Sequence, residues 1–142
     1  MILIREATAD DVPVIFDIRL SVKENILTNV DAITAEVCIE YLETNGKGWI
    51  AEIDGLTVGF SIASSNDNSI WALFVRPESE GKGVGKALLD AAVAWLFANG
   101  ATEITLTTGA GTSADQFYER QGWLRGAIDD DGEVRFTKLR PF

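Results

Sequence analysis

The 142 residues, 46% of them hydrophobic and 24% charged, are expected to fold as a single soluble domain spanning 1–142 with a sizeable core. A net charge of −10 lacks the clustered Lys and Arg that a nucleic-acid backbone needs, and the absence of histidine removes histidine-based triads and the commonest metal ligand, so neither nucleic acid nor metal is expected. One cysteine, a start interrupted by Arg5, Glu6, Asp10 and Asp11, and no apolar run of membrane-spanning length give the expectation of a cytoplasmic protein without a membrane partner.

Met1 to Ala7 alternates as a first strand, with Ile2 and Ile4 on one face and Leu3 and Arg5 on the other. Thr8 caps a helix that carries Asp10 and Asp11 in its first turn and Val12, Ile15, Phe16 and Leu20 along it. Ser21 to Ile33 is irregular and reads as a loop between helices. Thr34 opens a second helix with an apolar stripe of Val37, Cys38, Tyr41 and Leu42, and Gly46-Lys47-Gly48 is expected to end it. Asp54-Gly55, between Trp49 to Ile53 and Leu56 to Ala63, is a two-residue hairpin signal. Ser69 to Val75 is the next strand, and a long helix runs from about Gly83 to Ala98, closed by Asn99-Gly100. Glu103 to Thr107 is a further strand, and Thr112 or Ser113 caps a short helix ending at Gly122. Trp123 to Ile128 and Glu133 to Leu139 form a last hairpin around Asp131-Gly132. The order is β-α-α-β-β-β-α-β-α-β-β, a mixed α/β chain in which Ser69 to Thr107 requires a parallel crossover.

That crossover holds the most specific pattern in the chain. The strand ending at Val75 is followed by Arg76-Pro77 and then by Glu80-Gly81-Lys82-Gly83-Val84-Gly85-Lys86 at the mouth of the long helix. Glycines let a backbone approach a ligand closely, and the first amides of a helix have no intrahelical acceptor. With the positive end of the helix dipole they make a phosphate site. Lys86 stands where a dinucleotide fingerprint needs its third glycine, and Ala87 follows Gly85-Lys86 where a P-loop needs Ser or Thr. A phosphorylated cofactor other than an ordinary nucleoside triphosphate is therefore indicated, although a nucleotide-phosphate protein stays an alternative.

The element order and Glu80-Gly81-Lys82-Gly83-Val84-Gly85 resemble the GNAT superfamily of N-acetyltransferases, whose loop reads Gln/Arg-x-x-Gly-x-Gly/Ala. Ala114-Asp115-Gln116-Phe117-Tyr118-Glu119-Arg120-Gln121-Gly122-Trp123 is similar to that family's Ala-x-x-Phe-Tyr-x-x-x-Gly-Phe segment. The chain departs from the pattern at Glu80, where a carboxylate replaces Gln or Arg, and at Gly111, where relatives commonly carry an Asn. The resemblance implies a central mixed, twisted sheet with helices on both faces. It implies acetyl-CoA as co-substrate and transfer of acetyl to a primary amine, of a small molecule or an exposed protein amine, by direct attack in a ternary complex. A homodimer is a further expectation from relatives. The same fold holding coenzyme A without turnover, as a sensor or scaffold, is the competing reading.

On that resemblance, Phe74, Val75 and Arg76 lie along the pantetheine arm, and Gly81, Lys82, Gly83, Val84, Gly85 and Lys86 hold the diphosphate. Gly111, Ala114 and Tyr118 complete the cofactor side, with backbone donors from Gly109 to Thr112 in place of the missing Asn. Tyr118 is the candidate general acid, since a phenol keeps its proton at neutral pH. Read without the resemblance, it is equally a core aromatic beside Phe117. The strand from Ile70 to Val75 carries no carboxylate to serve as base, which leaves Glu24, Glu52 or a water chain, with Glu24 ranked first. Arg19, Asn25, Trp49 and Trp71 are candidate walls of the acceptor pocket, Trp71 equally as sheet packing. Cys38, on the apolar side of a helix, is disfavoured as a nucleophile.

Overall fold

The computed structural model describes residues 1–22 and 34–141. Its elements are β1 (Ile2–Glu6), α1 (Val12–Ser21), α2 (Ala35–Glu43), β2 (Gly46–Ile53), β3 (Leu56–Ser64), β4 (Ser69–Val75), α3 (Val84–Ala98), β5 (Glu103–Gly109), α4 (Ser113–Arg120), β6 (Leu124–Ile128) and β7 (Glu133–Leu139). This is the order expected from the periodicities. The strands form one seven-stranded sheet in the order β1-β2-β3-β4-β5-β7-β6. Every adjacent pair is antiparallel except β4 and β5, which the long crossover through α3 makes parallel.

Local chemistry fixes most boundaries. Thr8 opens a single 3-10 turn, Ala9–Asp11, that runs into α1. The Asp11 carboxylate accepts the Thr8 amide at 2.8 Å and both terminal nitrogens of Arg5 at 2.9 and 2.8 Å, tying β1 to the helix start. Thr34 caps α2 by accepting the Val37 amide at 3.2 Å. At the β2–β3 hairpin, Asp54 (φ 52°) and Gly55 (φ 81°) take the two positive torsions of a type I′ turn. One expectation fails here. Gly46-Lys47-Gly48 does not end α2. The helix stops at Glu43, and the three residues begin β2, pairing with Ser64, Ala63 and Ile62. Nothing local distinguishes the two outcomes, and the partner strand decides.

Two apolar clusters cover the two faces of the sheet, as alternation along each strand requires. Val12, Ile15 and Ile18 of α1 and Cys38 and Leu42 of α2 pack on Ile50, Phe60 and Ile62. Leu88, Leu89, Ala92 and Leu96 of α3 pack on the opposite face with Ala51, Val58 and Ala63, and this cluster continues through Ile104 and Phe136 to Tyr118 of α4. The close seat of α3 on the sheet depends on Gly59. A Cβ there would stand 2.9 Å from the Phe74 carbonyl oxygen and 3.0 Å from Leu88 Cδ1. Beside it the buried Ser61 hydroxyl donates to the Leu88 carbonyl at 3.1 Å.

The feature that positions the site is a division of the sheet. β4 and β5 are in register only at Ser69 and Thr105, joined there by the Thr105 amide donating to Asn68 O at 3.1 Å. Beyond that point β5 continues with β7 along its whole length, while β4 continues with β3. From Ile70 to Val75 the β5-facing edge of β4 is unpaired, an edge to which an extended chain can add.

Candidate active site

Two cavities open at this division, one on each side of β4. The larger, of about 480 Å³, lies between the end of β4, the glycine loop and α4. The smaller, of about 370 Å³, lies between α1, α2, β4 and the upper ends of β5 and β7. Leu73, Phe74, Ala114 and Tyr118 line both. They form a wall common to the two cavities.

The larger cavity is shaped for an anion. Gly81 (φ 78°) and Gly83 (φ 86°) both adopt left-handed torsions, and Gly83 is the N-cap of α3. Among the described residues, the amides from Gly81 to Lys86 find no backbone carbonyl, and the first that does is that of Ala87, donating to Gly83 O at 3.1 Å. Six successive amides thus surround the positive end of a fifteen-residue helix. Phe74, Val75, Gly81, Gly83 and Val84 line this cavity, as do Gly85, Lys86, Ala114 and Tyr118. Lys82 is exposed and not among the lining residues. Arg76 also lies outside the lining. It donates to Thr57 O at 2.9 Å and pairs with Asp17 at 2.8 Å, joining β4 to β3 and α1. Glu80 does line the cavity, as an exposed carboxylate with no ion pair among the described residues. Lys86 is paired instead with Asp90 at 2.7 Å.

The loop before α4 uses its donors internally. The Ala110 amide donates to Gly132 O at 2.9 Å and the Gly111 amide to Asp115 Oδ2 at 2.9 Å. Those two groups are therefore committed, and Gly111 does not line either cavity. Asp115 is buried and also takes two hydrogen bonds from Arg125 of β6, at 2.9 and 2.8 Å. The Arg125 guanidinium, then the Gly111 amide, hold its carboxyl down at about 2. This pair, which the sequence reading did not single out, fixes α4 and hence Tyr118. Its only local trace is Thr112-x-x-Asp115 at a helix start; Thr112 Oγ1 accepts the Asp115 amide at 3.3 Å.

Tyr118 is 6% exposed, edge-on to Phe117 and Trp123 and tilted against Phe136. Burial pushes its phenol above the ordinary value, so it holds its proton throughout the neutral range. It is at once a core aromatic and a group at the junction of both cavities.

The smaller cavity is lined by Arg19 and Trp71, with Phe16, Phe60, Phe74 and Cys38 among its other walls. Trp71 stacks on Tyr41 at 4.1 Å, so its packing and its place on the cavity wall coincide. Trp49 sits on the other face of the sheet, edge-on to Trp95 of α3. Glu52 is bound to Arg5 at 3.3 Å and lines neither cavity. Glu24 and Asn25 fall in 23–33, outside the described residues. Cys38 is buried, and desolvation raises its thiol pKa, which keeps it a protonated, poor nucleophile. The carboxylate that does reach this cavity among the described residues is Glu133, at the start of β7 opposite Gly109. The sequence signal for it was its position directly after the Asp131-Gly132 turn.

The family scan decides the class: residues 17–123 match the Acetyltransferase (GNAT) family. The chain belongs to the GNAT family. Acetyl-CoA-dependent acetyl transfer is the chemistry of that family, and acetyl-CoA is the co-substrate here. Among solved structures, the chain is similar to the PaiA N-acetyltransferase of Thermoplasma acidophilum in complex with coenzyme A, at 20% identity and TM-score 0.83, covering 99% of each chain. It is also similar to the ribosomal-protein-S18-alanine N-acetyltransferase of Escherichia coli, at 16% identity and TM-score 0.77, covering 98% of this chain and 94% of that one. Ard1 from Thermoplasma volcanium matches at 18% identity and TM-score 0.78, over 99% of each. At these identities the likeness is one of fold. No curated protein matches the chain significantly. Six amides and a strand edge without backbone partners among the described residues are what a diphosphate and an amide-bearing arm need, so the residues present fit the co-substrate.

Proposed function

We propose that this GNAT enzyme acetylates a primary amine, of a small molecule or exposed on a protein, by direct attack within a ternary complex. The observation that carries the reading is the single wall, ending in Tyr118, shared by an anion-shaped cavity and an aromatic one. When bound, acetyl-CoA supplies an acyl group on a thiolate leaving group. The Gly81 to Lys86 amides orient the diphosphate, and the free edge of β4 takes the arm. The attacking nitrogen forms the C–N bond as the C–S bond breaks, and Tyr118 gives its phenolic proton to the departing sulfur. The proton lost by the amine goes to a carboxylate at the smaller cavity. Glu133 is the described candidate, and Glu24 is the candidate carried from the family resemblance.

Thiol release over an amine panel tests this. Tyr118→Phe lowers kcat by on the order of 100-fold or more, the contribution of a positioned acid, while calorimetry finds coenzyme A affinity within a factor of about two. Equal turnover removes the acid role. In the same assay, Gln in place of the true base abolishes the rise of kcat/KM with pH. A non-catalytic coenzyme A module is the second reading, favoured by the Glu80 carboxylate at the anion cavity, which has no ion pair among the described residues. Tight coenzyme A binding without turnover of any amine would establish it.

A further inference from the structure

The smaller cavity is lined by a cation, Arg19, that has no ion pair among the described residues. Arg19 Nη2 is shielded from solvent and has no hydrogen-bond partner among the described residues. Its guanidinium carbon stands 6.0 Å from the centroid of Phe74, a residue of the wall shared with the co-substrate cavity. Desolvation is the main influence on Arg19 and lowers its pKa, with the neighbouring Cys38 acting in the opposite sense. A guanidinium that is partly exposed but has one shielded nitrogen left unbonded carries a cost in the free protein. Its planar fork matches one partner best, a carboxylate taken by two parallel hydrogen bonds. Across the same cavity stands Glu133, of the sign that draws an ammonium. A volume of about 370 Å³ is that of a small-molecule site.

We propose that the acceptor is a small aminocarboxylate, its carboxylate held by Arg19 and its amine directed past Phe74 toward Tyr118. This rests on reading the smaller cavity as the acceptor site, and it narrows the acceptor from amines in general to one charge pattern.

Coenzyme A release is measured with the ω-aminocarboxylates from glycine to 6-aminohexanoate, each against the n-alkylamine of equal chain length. In the wild type an aminocarboxylate has the lower KM, by on the order of 10- to 100-fold, the worth of hydrogen bonds between charged groups. The best chain length reports the span from Arg19 to the point of transfer. Arg19→Gln removes the preference, and Arg19→Lys restores part of it. The loss falls on the KM of the aminocarboxylate rather than on that of acetyl-CoA.

A wild type that prefers plain amines or peptide N-termini overturns the proposal while leaving the transferase reading intact. So does an Arg19→Gln variant that loses both substrate series equally, as it would if Arg19 served only a residue of 23–33. If no amine is acetylated, calorimetry of the same aminocarboxylates with the coenzyme A-loaded protein decides. Arg19-dependent binding upholds this site and defeats the transferase reading, and no binding defeats both. Should Arg19→Gln fail to fold, the paired comparison in the wild type is sufficient.

Discussion

Glu80 sets the finest adjustment of this site. It lines the cavity proposed for the diphosphate, and the cations near it in sequence are engaged elsewhere or exposed: Arg76 with Asp17, Lys86 with Asp90. A unit charge at a solvent-facing position near an anion repels it by about 1 kcal/mol. Glu80→Gln is therefore expected to tighten coenzyme A binding about fivefold at low salt, with the gain shrinking as ionic strength rises. Calorimetry at two salt concentrations checks both parts. The sequence displayed Glu80 plainly, because it departs from a contiguous motif. It did not display Arg76's engagement with Asp17, since the two are brought together only by the packing of α1 on the sheet.

At the scale of elements, α3 and α4 each depend on how they begin. Gly83 holds φ 86° as the α3 N-cap, and an added Cβ would meet nothing nearer than Ile2 Cδ1 at 4.0 Å. The obstacle to a side chain is thus the torsion itself. A β-branched residue in that region costs about 1–3 kcal/mol, so Gly83→Val should relax the turn, raise the coenzyme A Kd more than tenfold and lower Tm. Unimpaired binding by calorimetry would refute it. The first turn of α4 holds Asp115, whose carboxyl sits at about 2 against an ordinary 3.8, chiefly through Arg125. A depressed carboxyl stabilises the fold fully above the ordinary value, and that contribution is lost as pH falls through the depressed one. Wild-type Tm should hence drop more steeply between about pH 4 and pH 2 than that of Asp115→Asn, in parallel thermal melts. Coinciding curves would show that the pair does not anchor α4. The helices themselves were legible because caps and 3.6-residue periodicity act within a few residues. The Asp115–Arg125 pair was not, because ten positions and a turn intervene.

For the whole molecule, the decisive event is the parting of β4 from β5 after one registered pair. It leaves an interior edge with no partner strand among the described residues beyond Ser69, which a ligand can complete, so co-substrate binding should add to global stability. At a hundredfold excess over Kd the added stability is about 2.7 kcal/mol, a rise in Tm of about 5–10 °C. Coenzyme A and acetyl-CoA should produce it in a thermal shift measurement, and ATP should not. Stabilisation by ATP alone would return the site to the nucleotide reading.

The sequence by itself determined the succession of strands and helices, the turn at Asp54-Gly55, the glycine-rich mouth of α3 and the family to which these belong. All of these are governed by torsions and hydrogen bonds among near neighbours along the chain. Tertiary structure alone decided that Gly46 to Gly48 extend a strand, that Trp49 lies on the sheet face away from the smaller cavity and that Glu52 is bound to Arg5. It alone brought Arg19, Glu133 and Tyr118 around one cavity, with Tyr118 also on the wall of its neighbour. Those outcomes depend on which face of which strand meets which helix, and contacts between residues dozens of positions apart leave no periodic trace in the chain.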